Sequence, residues 1–157
     1  PYGHFNFVQD VLKAKGEKLL FAMNAGMYHE DRSPVGLYVE NGEFLSRLNS
    51  NDGPGNFHLK PNGVFLVTAE GAALVEETDV FTMTKRPAPR YATQSGPMLV
   101  VNGKIHPRFL IDSDELKTPN ALYLDGTISR LYAPALGRND PGAAMGPIVG
   151  VVAPVDD

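Results

Sequence analysis

Residues 34–48, PVGLYVENGEFLSRL, decide how this chain is built. Two runs, 36–40 and 43–48, flank Asn41-Gly42, and both of those residue types tolerate the positive φ that a type I′ hairpin turn requires. The spacing therefore predicts an antiparallel strand pair. The same pattern recurs at 64–68 and 72–76 around Glu70-Gly71, and again in 98–105, which carries Asn102-Gly103 and follows a strand over 91–95. Continuous apolar runs predict further strands at 18–23, 121–124 and 147–152. Helical spacing is scarce. Phe5, Val8, Val11 and Leu12 predict an amphipathic helix over 6–15 that stops at Gly16, and 78–84 holds one helical turn before Pro87 and Pro89. The expected class is α+β, a single domain of mostly antiparallel, hairpin-built sheet with few helices.

The bulk composition excludes several functions. With 157 residues, 43% of them hydrophobic, the chain has the size of one domain and the material for one core. Fourteen Lys and Arg against eighteen Asp and Glu leave a net charge of -4, which argues against nucleic acid as a partner. A local basic pocket for a small anion is still compatible with that balance. There is no cysteine, so disulfides and thiolate metal sites are excluded. His4, His29, His58 and His106 stand far apart, which leaves no metal constellation, and no nucleotide fingerprint implies a cofactor. No apolar run approaches the roughly 20 residues of a membrane span. The opening Pro1 is read as the start of a processed or truncated product.

Polar groups gather where the expected strands end. In NALYLDGTISRLY (120–132), Asp125-Gly126 closes an apolar run and leaves a carboxylate at its end. That carboxylate either holds its own turn or acts chemically, and the residue type alone favours the turn. Asn24 and Gly26 end the run over 18–23; Gln94, Ser95 and Gly96 end the run over 91–95. Their amides and hydroxyl suit sugar hydroxyls or phosphate oxygens, although turn-making is the plainer role for Asn24. Alternation within 56–65 predicts a strand with His58 and Lys60 on one face, making that face basic. For His58 an ordinary exposed polar position is the simpler reading. Arg108 offers a planar fork of donors to a phosphate, or is merely solvated.

Five blocks taken together go further. FAMNAGMY (21–28), PVGLYVENG (34–42), NFHLKPNGVF (56–65), ATQSGPMLVVNGKIH (92–106) and NALYLDGTIS (120–129) resemble the phosphodiester glycosidase family, in particular its bacterial, largely uncharacterised branch. The family's last motif resembles Leu-Asp-Gly-Gly-Gly-Ser; here Leu124-Asp125-Gly126-Thr127-Ile128-Ser129 keeps the Asp, the first Gly and the Ser. The resemblance implies a hydrolase that cuts the glycosidic bond of a sugar-1-phosphodiester, releasing the sugar from its phosphate leaving group. The alternative is a carbohydrate or cell-envelope binding module without turnover. Under the enzymatic reading, Asp125 and Asn24 are catalytic, while Gly26, Lys60, Gln94, Ser95, Gly96, Arg108, Gly126 and Ser129 bind a small sugar phosphodiester or glycan. The resemblance also implies a periplasmic or secreted protein. In the family an Arg-containing block, a strand and a helix follow the counterpart of 113–117, whereas here Thr118 and Pro119 come at once. A segment is therefore expected to be missing between Lys117 and Thr118, preferably by numbering that runs across omitted residues, with others missing before Pro1.

Overall fold

A computed structural model describes residues 3–106 and 130–155. The chain is α+β and dominated by sheet, and every strand pairing among the described residues is antiparallel. Its contacts divide it into two compact units, one of residues 1–25 and 110–157, the other of residues 26–109. The expected strand at 121–124 and the expected gap after Lys117 lie outside the described residues.

In the first unit, helix α1 (Phe5–Lys13) begins and ends earlier than the sequence suggests. Backbone bonds from Lys15 to Leu12 (2.8 Å) and from Gly16 to Lys13 (3.1 Å) tighten its last turn, and Gly16 at φ 72 turns the chain out. Strand β1 (Glu17–Asn24) follows and pairs along its length with a strand near the end of the chain, Ile148–Pro154. A bulge between Leu19 and Phe21 turns Leu20 outward, where it is 42% exposed, and leaves Leu19 and Ala22 buried. Phe5 and Tyr132 join that core with ring centroids 6.0 Å apart, and the Gln9 amide donates to the Tyr132 hydroxyl at 2.7 Å.

The second unit is built on the hairpins. Strands β2 (Tyr38–Glu40) and β3 (Glu43–Ser46) meet at Asn41 (φ 50) and Gly42 (φ 84), the double positive φ of the expected turn. Strands β4 (Gly63–Val67), β5 (Ala73–Glu77) and β6 (Tyr91–Ser95) complete a sheet of order β3-β2-β6-β4-β5, with helix α2 (Thr78–Met83) after β5. The run over 98–105 makes a separate small hairpin, β7 (Val100–Val101) with β8 (Lys104–Ile105). In the first unit β9 (Leu131–Ala133), β10 (Arg138–Asn139) and β11 (Ile148–Pro154) give the order β10-β9-β1-β11.

Of the strand expected over 56–65 only the end forms, from Gly63. Asn56–His58 is instead one 3-10 turn entered through Gly55 at φ 88, and β4 starts only at Gly63, past Pro61. Pro61 lacks the N–H that a ladder position needs, so a strand cannot run through it. His58 and Lys60 therefore do not share a strand face.

Leu37, Val39, Val64, Leu66 and Ala92 fill the core on one side of the five-stranded sheet, with Leu48 and Phe81 packed against them. Among these apolar side chains lies Gln94, 1% exposed. Leu66→Ala should cost about 2–5 kcal/mol by cavity formation, read from urea unfolding. Gln94→Glu should cost about 3 kcal/mol or more at neutral pH, since it replaces two buried donors by a charge. That loss should shrink as pH falls, because a protonated carboxyl regains one donor. An unchanged unfolding midpoint for Gln94→Glu would show that the buried amide holds nothing together.

Candidate functional site

In the second unit Gln94 is the candidate residue most fully engaged with the rest of the fold. Its Oε1 accepts from the backbone N–H of Leu37 (3.1 Å) and of Asn49 (2.9 Å), while its Nε2 donates to the Asn49 carbonyl (2.8 Å) and to Thr78 Oγ1 (3.2 Å). A side-chain amide has two lone pairs and two N–H donors, so every position is used. The sequence reading gave this amide to a substrate; the structure gives it a structural task, tying β6 to the approach to β2, to the next loop and to the start of α2. It also explains why β2 begins at Tyr38 rather than Gly36, because Leu37 N–H is bound to a side chain instead of a strand.

The nearby glycines are required by close approach. Gly26 has φ 83, and a Cβ there would lie 2.6 Å from the Gln94 carbonyl oxygen and 2.7 Å from Thr93 Oγ1. A Cβ on Gly96 would collide with the Phe57 carbonyl oxygen and come within 2.8 Å of Asn62 Cβ. Asn62, buried, donates to that same carbonyl at 3.2 Å. Ser95 is half-buried at the end of β6, opposite Gly63. These positions let the backbone pass tightly, whatever else they do.

Lys60 lies on an exposed loop beside Asp52, with Nζ 2.9 Å from Oδ1. The hydrogen bond and charge of Lys60 hold the Asp52 carboxyl below the usual carboxylate range, and Asp52 in turn raises Lys60. His58, on the 3-10 turn, is bonded through Nδ1 to the Asn51 carbonyl at 2.8 Å. The loop is pinned at its start, where Asn49 Nδ2 donates to the Val35 carbonyl (3.0 Å) and Asn49 Oδ1 accepts from Asn51 N–H (3.1 Å).

In the first unit Asn24 ends β1, and its Oδ1 accepts from the backbone N–H of Arg130 at 3.2 Å. Arg130 was not singled out in the sequence, where nothing marks it apart from any other arginine. Its guanidinium fills the space that a side chain on Gly142 would need, at the wall of a cavity of about 140 Å³ whose lining also includes Asn6, Asn139 and Asp140. The Asp140 carboxylate is gripped by Arg138 at 2.9 and 3.0 Å and accepts from Leu131 N–H at 3.1 Å. Asp125, Gly126, Ser129 and Arg108 lie outside the described residues. The sequence also gave no role to Asp52, Asn49 or Thr78, because each depends on a partner distant in the chain or on a loop closure that spacing does not reveal.

Among the described residues no helix is long and apolar enough to cross a membrane. A family profile described as phosphodiester glycosidase matches residues 17–118. That span includes Asn24, Gly26, Lys60, Gln94, Ser95, Gly96 and Arg108 and stops before Asp125, Gly126 and Ser129. The chain is similar to the uncharacterized protein YigE of Escherichia coli (strain K12), 35% identical over 147 residues, covering 71% of this chain and 57% of that protein. No solved structure matches. With the profile covering well over half of its length, the chain belongs to the phosphodiester glycosidase family.

Proposed function

We propose that the protein is a hydrolase that cleaves the bond between a sugar's anomeric carbon and a phosphate that is itself esterified to a second group. The observation that carries this reading is the family match over residues 17–118. It is supported by the Leu124-Asp125-Gly126 motif that follows the matched span.

The chemistry asks little of the protein at the leaving group. When the bond from the anomeric carbon to oxygen breaks, the electron pair stays on a phosphate oxygen, and a phosphate monoester is a stable anion without prior protonation. A strong general acid of the kind ordinary glycosidases need is therefore dispensable. One carboxylate at the anomeric carbon, as nucleophile or as base toward water, can suffice, and Asp125 is assigned that role. Asn24 is assigned to orient it or a sugar hydroxyl, with Arg108, Lys60 and backbone N–H groups as donors to the phosphate, and Gly126 and Ser129 as further substrate-binding residues. Gly26, Ser95 and Gly96 would contribute backbone and hydroxyl contacts. The substrate is a small sugar phosphodiester or a glycan bearing one. We also place the protein in the periplasm or outside the cell, to be tested by cell fractionation.

Asp125→Asn should abolish turnover while sparing the fold, because Asn is nearly isosteric and also suits a turn before Gly. A positioned base contributes roughly 10²–10⁴-fold, so release of sugar from a panel of sugar-1-phosphodiesters should fall by orders of magnitude, with circular dichroism unchanged. A folded, fully active variant would remove Asp125 from the mechanism. Saturable binding by the wild-type chain with no turnover of any substrate in the panel would replace the enzyme by a binding module.

A further inference from the structure

Strand β1 is held on both sides at its end. On one side Asn24 lies opposite Ile148 of β11, and the next residue, Ala25, donates its N–H to the Pro147 carbonyl at 2.7 Å. On the other side the pairing with β9 reaches Met23 opposite Leu131, and there the Asn24 side chain takes over from the ladder, its Oδ1 accepting from Arg130 N–H at 3.2 Å. A backbone N–H can only donate, so the oxygen of the amide faces Arg130 and the orientation of the group is fixed. Nδ2, with two hydrogens to give, makes no hydrogen bond among the described residues. It is not one of their sealed-off polar atoms either, so solvent reaches it on a half-buried side chain.

We propose that Asn24 is a one-way donor to the phosphate group of the substrate, with its oxygen committed to the main chain and its N–H pair presented to a phosphate oxygen. The inference rests on the reading above that the substrate is a sugar phosphodiester. A sugar hydroxyl bound through its hydrogen would need the amide oxygen, which Arg130 already occupies. A non-bridging phosphate oxygen only accepts, and it matches a group that only donates. The charges around the strand end agree. The single carboxylate within β1 is Glu17, at the opposite end, while β9 and β11 carry none. The acid that reaches this junction is Asp140, through Leu131 N–H, and Arg138 grips both of its oxygens, so its charge is answered locally. Arg130, whose main chain sets the amide, adds a cation to the same junction.

As the bond from the anomeric carbon to oxygen breaks, its electron pair moves onto the phosphate, and the hydrogen bonds from Nδ2 strengthen as that charge grows. No proton leaves Asn24. The amide needs no reordering for this, because Arg130 N–H already holds it. A positioned side-chain amide donor of this kind is worth about 10²–10³-fold in turnover.

Two substitutions separate the tasks of the two ends of the amide. Asn24→Asp keeps an oxygen for Arg130 N–H and loses the donors, whereas Asn24→Ala loses both. Urea unfolding should therefore leave Asn24→Asp close to the wild type and destabilise Asn24→Ala. The binding probes are dimethyl phosphate, a monoanion, and glycerol, a neutral triol, each titrated into the whole chain while the Asn24 side-chain amide is followed by NMR. Its hydrogens should move with dimethyl phosphate and stay put with glycerol, and Asn24→Asp should weaken dimethyl phosphate binding by about tenfold or more. Turnover of any sugar-1-phosphodiester that the wild type hydrolyses should fall about 10²–10³-fold in both variants. Amide signals that ignore dimethyl phosphate, or that respond equally to glycerol, would overturn the donor assignment, as would an Asn24→Asp variant with wild-type activity. An Asn24→Asp variant as unstable as Asn24→Ala would overturn the fixed orientation behind it. A response to dimethyl phosphate without hydrolysis of any sugar-1-phosphodiester would refute the glycosidase reading and leave the donor standing. Hydrolysis by the wild type with an unresponsive amide would refute the donor alone.

Discussion

A buried primary amide must find four hydrogen-bond partners or destabilise the fold, and in the five-stranded sheet Gln94 finds all four within the protein. Much else in that unit follows from this requirement. Leu37 turns its N–H to a side chain while its carbonyl still accepts from the Gln94 backbone N–H at 2.9 Å, Asn49 starts its loop at a fixed point, and Thr78 begins α2 with its hydroxyl already engaged. Gly36 cannot be larger, because a Cβ there would run into Gln94 Oε1 and lie 2.7 Å from the Phe57 ring. One polar side chain in an apolar layer thus fixes the relative position of a strand, a loop and a helix.

Such a hub is useful beneath a loop that must hold polar groups without packing them. The stretch from Asn49 to Lys60 buries little besides Phe57, so its shape has to come from hydrogen bonds rather than apolar contact. Anchored at Asn49 and closed through His58 and Lys60, it displays its polar side chains from a defined backbone. In the first unit the device is different. There the Asn24 side chain receives the backbone of Arg130 just before β9, and the Asp140 carboxylate receives that of Leu131, so side chains join the strand ladder at the entry to the strand.

The parts of the fold that the sequence makes legible are those specified locally. Asn41-Gly42 and Asn102-Gly103 form the double positive-φ turns their residue types favour, and the strands beside them follow. Helix α1 was legible from its apolar spacing to within two residues at either end. The 56–65 segment was misleading for a physical reason: its alternation of Phe57, Leu59 and the polar residues between them suits a strand, but Gly55 and Pro61 enforce a turn and a break that alternation does not weigh. The site was legible only as residue types at strand ends. Gln94 was correctly placed at the end of a strand, but its task could not be inferred, because its partners lie 57, 45 and 16 positions away. Lys60 was marked as a cation, while its neutralisation by Asp52 depends on how a Gly- and Pro-rich loop closes, which residue spacing does not encode.

The central claim is chemical: the bond that breaks is the one from sugar to oxygen, not the one from oxygen to phosphorus. A glycosidase and a phosphodiesterase acting on the same sugar-1-phosphodiester differ in where the oxygen of water ends up. Hydrolysis in water enriched in heavy oxygen, followed by mass spectrometry of both products before the anomeric hydroxyl exchanges, measures this directly. The account predicts label on the anomeric hydroxyl of the released sugar and none on the phosphate monoester. Label on a phosphorus-containing product instead would contradict it.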